Sequence, residues 1–373
     1  MKASASKSGR KGPKGQPLPA RRKNFLRDLL VSFVIALFFV VGALVLDQGL
    51  AKGLSPLYRH TLIEGQGEGN KVNWAVAAKA DAYVFGDSRA LQHYDPHILQ
   101  GGTGISFFNA GVAGMGFTYL WMLAEVLEQN HHARLYVVDI NYHSFDHHPN
   151  RYTLALKSFA PFSDQLPGYA RVAAEEQKKT GWQPGQYKLA LCASYKFNGH
   201  LVPVLRQYVL REHPSGNQGY EPTDIFLNDN PQAGQRGKYY SKLDPVTLQH
   251  LVDFVKRSHR KGIDVVFCIG PYYLGGTDFK LWAVEWDYLR ITRQLAKVLK
   301  VPLIDFNVFQ YPEFKDPRYY TNGDHLNRRG AEIFSEKVAT HLHEIEKVQA
   351  AGGWFNSAYY PQIETKDYLL AIE

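Results

Sequence analysis

The sequence predicts an α/β domain, with a parallel sheet of about five strands covered by helices, carried behind a single N-terminal transmembrane helix. Three observations lead there. Short apolar runs alternate with amphipathic stretches from about residue 81 onward. A long apolar run, Leu29 to Leu46, has only Ser32 as a polar member. The excess positive charge is confined to the residues before that run.

The charge distribution separates two classes of protein. The 373 residues carry 43 Lys and Arg against 35 Asp and Glu, a formal net charge of +8. Nine of the basic residues and one acid fall at or before Asp28, which leaves 34 of each sign in the rest. A neutral globular part has no field to steer a polyanion, so nucleic acid is not an expected partner. With 45% hydrophobic residues, the chain has ample material for a core. Its length suits one large domain or two smaller ones.

Residues 1–28 read as a basic cytoplasmic tail, disordered over 1–24, where Lys, Gly, Ser and Pro dominate. Residues 29–46 are close to the length that crosses a hydrocarbon layer of ~30 Å. The positive flank belongs inside, which places the main domain outside the cytoplasm and the chain in the cytoplasmic (inner) membrane as a single-pass protein. A retained anchor is expected rather than a cleaved signal. A signal h-region usually has ~7–15 residues, and Gly49-Leu50-Ala51 is a poor cleavage site. Residues 47–80 form a juxtamembrane segment, 81–350 the main domain and 351–373 a C-terminal tail. The tail's Trp354, Phe355, Tyr359, Tyr360 and Tyr368 suggest packing on the domain surface.

Strands are expected at Ala82 to Phe85, Ile105 to Phe108, Leu135 to Val138, Val265 to Ile269 and Pro302 to Phe306. Helices are expected at Thr118 to Gln129, from Asp244-Pro245 to a stop at Gly262, at Leu281 to Lys300, and after Asn327. In the last of these Phe334, Val338, Leu342 and Ile345 should face inward. Residues 142–243 are too long for a plain crossover and read as an insertion capping the active face. It should contain a helix around Tyr187 to Arg211, interrupted or kinked near Pro203. Cys268 lies in an apolar strand, and a disulfide with Cys192 is open. His143, Asp146, His147 and His148 cluster in sequence, but no Cys/His spacing resembles a zinc site.

Ligands of open α/β sheets bind beyond the carboxyl ends of the strands. There the sequence offers Gly86-Asp87-Ser88-Arg89, Asn109-Ala110-Gly111, Asp139-Ile140-Asn141 and Asn322-Gly323-Asp324-His325-Leu326-Asn327. A serine, a glycine, an amide and a histidine thus converge on one rim. This is the set that acyl transfer needs: a hydroxyl, a base to take its proton, and donors for an oxyanion. Asp87 is expected to be structural. Arg89 is expected at the solvated rim, where it could meet an anionic or sugar substrate.

These blocks resemble the SGNH (GDSL-type) hydrolase superfamily over roughly residues 80–145 and 245–345. The resemblance implies a flavodoxin-like three-layer fold with no cofactor and no metal. It implies Ser88 as nucleophile, His325 as base, and Ser88, Gly111 and Asn141 as the oxyanion hole. The family's last acid would fall at position 322, which is Asn322 here. Asp324 could orient the imidazole instead, or Asn322 could do so, or a Ser-His dyad could act alone. The tail, anchor and outer domain together are similar to the membrane-anchored DltD and alginate-acetylation branch. That implies ester hydrolysis or O-acyl transfer on a cell-surface or exported polysaccharide. The implied partners are an acylated polysaccharide or small acyl donor and a polytopic membrane O-acyltransferase. The competing class is a non-catalytic scaffold or binding subunit of a polysaccharide-modification or export complex.

Overall fold

Five apolar runs pair side by side as β1 (Ala82–Phe85), β2 (Phe107–Asn109), β3 (Leu135–Asp139), β4 (Asp264–Ile269) and β5 (Leu303–Asp305). They form one parallel sheet in the order β2-β1-β3-β4-β5, the flavodoxin-like order. The structure is a computed structural model that describes residues 20–63, 70–145, 149–181, 184–213, 218–227, 243–273, 282–306 and 311–350. The start of the basic tail, Asp146, His147, His148 and the aromatic C-terminal tail lie outside the described residues.

The helices in chain order are α1 (Ala20–Arg59), α2 (Asn70–Ala78), α3 (Ser88–His93), α4 (Pro96–Thr103), α5 (Phe117–Asn130) and α6 (Pro149–Phe159). After them come α7 (Pro167–Thr180), α8 (Pro184–Leu191), α9 (Leu201–Tyr208), α10 (Pro245–Arg260), α11 (Trp282–Leu299) and α12 (Arg328–Ala350). Strand side chains alternate between faces. Tyr83 and Phe85 of β1 point into a core shared with α2, α5 and α10. Ala82 and Val84 point the other way, toward Leu99 of α4 and Phe334, Val338, Leu342 and Ile345 of α12. The sheet is therefore buried on both faces, as its near-continuous apolar strands require.

Strand β2 starts at Phe107, two residues later than its apolar run suggests. Ser106 is held back by a side-chain exchange with Asp81: its Oγ donates to Asp81 Oδ2 at 2.6 Å and accepts from Asp81 N at 2.9 Å. Helix α1 begins at Ala20, so the last residues of the basic tail are helical rather than disordered. Arg21, Arg22 and Lys23 are good helix formers directly preceding the apolar run. At 1.5 Å per residue the helix is roughly 60 Å long, about twice a hydrocarbon layer. Its apolar part is long enough to cross a membrane, and nothing in that window is buried. Farther along, Ala51, Ser55 and Tyr58 are buried against the domain.

Asp244 caps α10 by accepting from Val246 N, as its Asp-Pro start predicts. Gly262 follows that helix with φ +71°. The insertion departs from expectation. Helices α6 and α7 were not foreseen, and the expected helix over Tyr187 to Arg211 is split into α8, a 3-10 turn at Ala193–Phe197, and α9. The break lies at Cys192 and Gly199, the latter at φ +87°, while Pro203 sits in the first turn of α9, where a missing N–H costs nothing. Most of the insertion packs on α2, α5 and α1. Residues 218–227 behave differently and run along the carboxyl rim. Gln218 O accepts from Asn109 N, Glu221 N donates to Leu91 O, and Leu227 N donates to Tyr320 O. Both cysteines are free. Cys268 is buried in β4, and Cys192 Sγ donates to Asp47 in α1.

Candidate active site

Strand β1 ends at Phe85, and the chain turns at Gly86, with φ +153°, straight into α3. A Cβ at Gly86 would lie 2.7 Å from Ala90 Cβ, so only glycine permits this tight reversal. Asp87 caps α3, accepting from Arg89 N at 3.0 Å. The capping role thus falls to Asp87, and the Ser88 side chain is left for other work.

That side chain meets His325. Ser88 Oγ and His325 Nε2 are 2.7 Å apart across 237 residues of sequence. On the other side of the ring, Nδ1 faces Asp324 Oδ1 at 2.9 Å and Asn322 Oδ1 at 3.1 Å. Both partners at Nδ1 are oxygens that can only accept, so Nδ1 carries the proton. Nε2 is then the acceptor for the Ser88 hydroxyl. Asn322 Oδ1 also takes the backbone N–H groups of Asp324 and His325, at 3.0 and 2.9 Å. With three donors crowding one amide oxygen, the Asp324 carboxylate is the stronger acceptor for the ring.

The histidine loop is itself held. Thr321 N donates to His325 O, Tyr273 N donates to Gly323 O, and Tyr320 and Leu326 form an antiparallel bridge. Leu326 N donates to His93 Nε2 at 2.9 Å. His93 is fully buried in α3, with its ring edge-on to His325 at 6.1 Å. Because Nε2 accepts, His93 is neutral with its proton on Nδ1. Burial, with the nearby Arg89 charge, holds its pKa well below the ordinary value.

Asn141 stands at the end of β3, beside β1 in the sheet, and is 1% exposed. Its Nδ2 donates to Asp87 Oδ2 at 2.7 Å, while its Oδ1 accepts from His143 N at 2.9 Å. These bonds fix the amide orientation and leave one Nδ2 hydrogen without an assigned acceptor. Gly111 approaches α3 so closely that a Cβ would lie 2.5 Å from Leu91 N. Its own N–H already donates to Asn109 Oδ1 at 3.0 Å, which departs from the expected oxyanion role. Asn109 is fully buried and also donates to Ala90 O and Tyr94 O, so it clamps β2 onto the serine helix. Three residues on, Gly114 at φ +74° is exposed in the following turn. Among the described residues no acceptor takes its N–H.

Arg89 is not at the solvated rim. It is 1% exposed, with its guanidinium 4.2 Å from the centre of the Tyr272 ring and 3.9 Å from Asp139 Oδ1. The expectation of a solvated arginine fails because the ring face, Asp139 and Pro271 O replace water around it. Tyr94 OH donates to Asp139 Oδ2 at 2.8 Å. Burial raises Asp139 to about 6 against the pull of Arg89. This buried group underlies the site and is screened from substrate. Of the residues that matter, sequence reading missed His93 and Gly114, and it placed Asn109 at the rim without a role. The buried run Arg89-Ala90-Leu91 with His93 behind Ser88 was the one available signal for His93.

No family model matches the chain, and no curated protein matches it. Among solved structures, one provisionally assigned as a lipolytic protein of the G-D-S-L family from Desulfitobacterium hafniense is similar at 10% identity and a TM-score of 0.34, covering 69% of this chain and 97% of that one. Another, provisionally assigned as a platelet activating factor from Streptococcus pneumonia, is similar at 12% identity and a TM-score of 0.33, covering 83% and 99%. At such TM-scores neither likeness decides the family.

Proposed function

We propose that the chain is a membrane-anchored serine esterase or O-acyltransferase of SGNH type. The observation that carries this reading is the Ser88 Oγ–His325 Nε2–Asp324 series, with a 2.7 Å contact to the serine and a 2.9 Å contact to the acid. Ser88 Oγ attacks the carbonyl carbon of an ester as its proton passes to His325 Nε2. The resulting oxyanion is met by the Ser88 N–H at the start of α3, the free Asn141 Nδ2 hydrogen and the Gly114 N–H. Collapse breaks the ester C–O bond, and the imidazolium gives its proton to the departing alkoxide. His325 then takes a proton from water or from a sugar hydroxyl, which resolves the acyl-serine and restores the hydroxyl. Asp324 orients the ring and stabilises its charged form throughout.

Helix α1 anchors this domain to the cytoplasmic membrane, with the basic tail inside and the site outside, in keeping with its length and flanking charge. The substrate is an acylated cell-surface or exported polysaccharide, in the manner of the DltD and alginate-acetylation branch, with a polytopic O-acyltransferase as the implied acyl source. The experiment is to incubate the full chain in detergent with an acetylated polysaccharide, with and without an unacetylated acceptor, and to follow free acetate against acceptor-bound acetate. Loss of both products in Ser88→Ala supports the proposal. Absence of both products from the wild type with every acylated polymer and small ester leaves the scaffold reading ahead.

A further inference from the structure

Helix α3 is only six residues long, yet both of its ends meet the loop that carries the base. Its first residue, Ser88, faces the His325 ring at 2.7 Å. Its last residue, His93, accepts at Nε2 from Leu326 N at 2.9 Å, on the residue directly after His325. One short helix therefore grips the base at two places, through the reacting hydroxyl and through the backbone. At 1.5 Å per residue the two grips are about 7.5 Å apart along the helix.

An imidazole is an unfavourable filling for this position. His93 is fully buried, with its ring 5.9 Å from that of Phe334, beside the core that Tyr94, Leu99 and Phe334 share. With its proton on Nδ1, that N–H meets no acceptor among the described residues. A leucine would fill the space without stranding a buried donor. What the imidazole supplies and leucine cannot is the acceptor for Leu326 N. The helix end that presents it is fixed as well. Ser335 Oγ donates to His93 O at 3.1 Å and accepts from Asp95 N at 2.8 Å. Ser335 belongs to α12, which starts three residues after His325. On the other flank of His325, Gly323 O is held by Tyr273 N, a bond in which α3 has no part.

We propose that His93 is a positioning residue for the base: its bond to Leu326 N sets the separation between Ser88 Oγ and His325 Nε2. It touches neither substrate nor the reacting atoms and acts through the backbone of the histidine loop. This rests on Ser88 and His325 being nucleophile and base. Without the bond the loop is tied to α3 only through the pair that must react. The separation then varies, and a misplacement of about 1 Å can cost on the order of 10²-fold in rate.

The test compares three replacements in the full chain in detergent, with p-nitrophenyl acetate as substrate. His93→Gln puts an amide oxygen near the place of Nε2 and keeps an acceptor for Leu326 N. His93→Asn is too short to reach it, and His93→Leu has no acceptor. His93→Asn and His93→Leu should lose about 10- to 100-fold in kcat with KM within about twofold of wild type, while His93→Gln stays within about fivefold in kcat. A merely structural role would lower the thermal midpoint without ranking kcat by the acceptor. Equal kcat in the three folded variants, or a loss carried by KM, overturns the proposal. The wild type supplies a second measurement should a replacement not fold. In nitrogen-15-labelled protein, a scalar coupling across the hydrogen bond should join the Leu326 amide nitrogen to His93 Nε2, and its absence would also overturn the proposal. Folded Ser88→Ala separates the two readings. If it turns over ester at the wild-type rate, the serine mechanism fails and His93 has nothing to position. If it is inactive while His93→Asn and His93→Leu keep the wild-type kcat, the serine mechanism stands and the role of His93 alone falls.

Discussion

Asn141 Nδ2 donates to Asp87 Oδ2 at 2.7 Å, linking the end of β3 to the residue that caps the serine helix. Asp87 uses both oxygens, one for Asn141 and one for Arg89 N. Asp87→Asn keeps the shape but replaces one acceptor with a donor, so an N–H would face an N–H. Turnover of an activated ester should fall about 10- to 100-fold, the scale of losing a buried hydrogen bond to a charged group. Asn141→Ala removes the oxyanion donor itself and should cost about 10²- to 10³-fold. Because both act on one amide, the double variant should be no worse than Asn141→Ala alone. Multiplicative losses in steady-state kinetics would show that Asp87 acts elsewhere.

The two oxygens at His325 Nδ1 separate by substitution. Asp324→Asn should lower turnover by about 10⁴-fold with KM little changed, as when a triad acid is neutralised. Asn322→Ala should cost less in turnover, because Asp324 remains, but it strips acceptors from the Asp324 and His325 N–H groups and should loosen the loop. A lowered thermal midpoint with turnover within about tenfold of wild type is the expected signature. The reverse ranking would make Asn322 the orienting group.

His93 gives the fold a defined pH response. Its folded pKa lies below its unfolded value, so below about pH 6.5 the unfolded chain binds a proton that the folded chain refuses. Its contribution to stability is full above that pH and is lost as pH falls through it. Asp139, raised to about 6, acts in the opposite sense between its unfolded value and 6, so the wild-type curve alone does not isolate His93. The difference between wild type and His93→Gln does. The stability advantage of wild type should shrink between pH 7 and 5, by up to about 1.4 kcal/mol per pH unit. A difference independent of pH would mean that His93 is not buried neutral.

Topology follows from the tail and α1. A phosphatase reporter fused after Glu373 should be active, since that enzyme folds only outside the cytoplasm, and the fusion should stay with the membrane fraction. Activity in the soluble fraction would mean that the segment is cleaved as a signal. An inactive fusion would reverse the orientation.

Much of this was legible because strand and helix periods differ. The β1, β3 and β4 runs and the inward stripe Phe334, Val338, Leu342 and Ile345 could be read directly. Helix α4 was missed although Asp95-Pro96 opens it in the manner of Asp244-Pro245, because it is only eight residues long. In the insertion a break is expected near Pro203 because proline looks like a breaker, whereas Cys192 and Gly199 mark the interruption itself. In the site, the convergence of Ser88 and His325 followed from topology alone. The bond between Asp87 and Asn141 did not, since it depends on β1 and β3 being neighbours. Arg89 misled for a different reason. Charge predicts exposure, and only the Tyr272 ring and Asp139 supply the surroundings that let this guanidinium be buried.

The central claim is that Ser88 is a nucleophile activated by His325. It is tested most directly by treating the full chain in detergent with a fluorophosphonate and locating the adduct by mass spectrometry of peptides. The expected result is one adduct per chain, on Ser88, absent from folded Ser88→Ala and strongly slowed in His325→Ala. A folded wild-type protein that forms no adduct at Ser88, or that labels equally after Ser88→Ala, would contradict the serine mechanism.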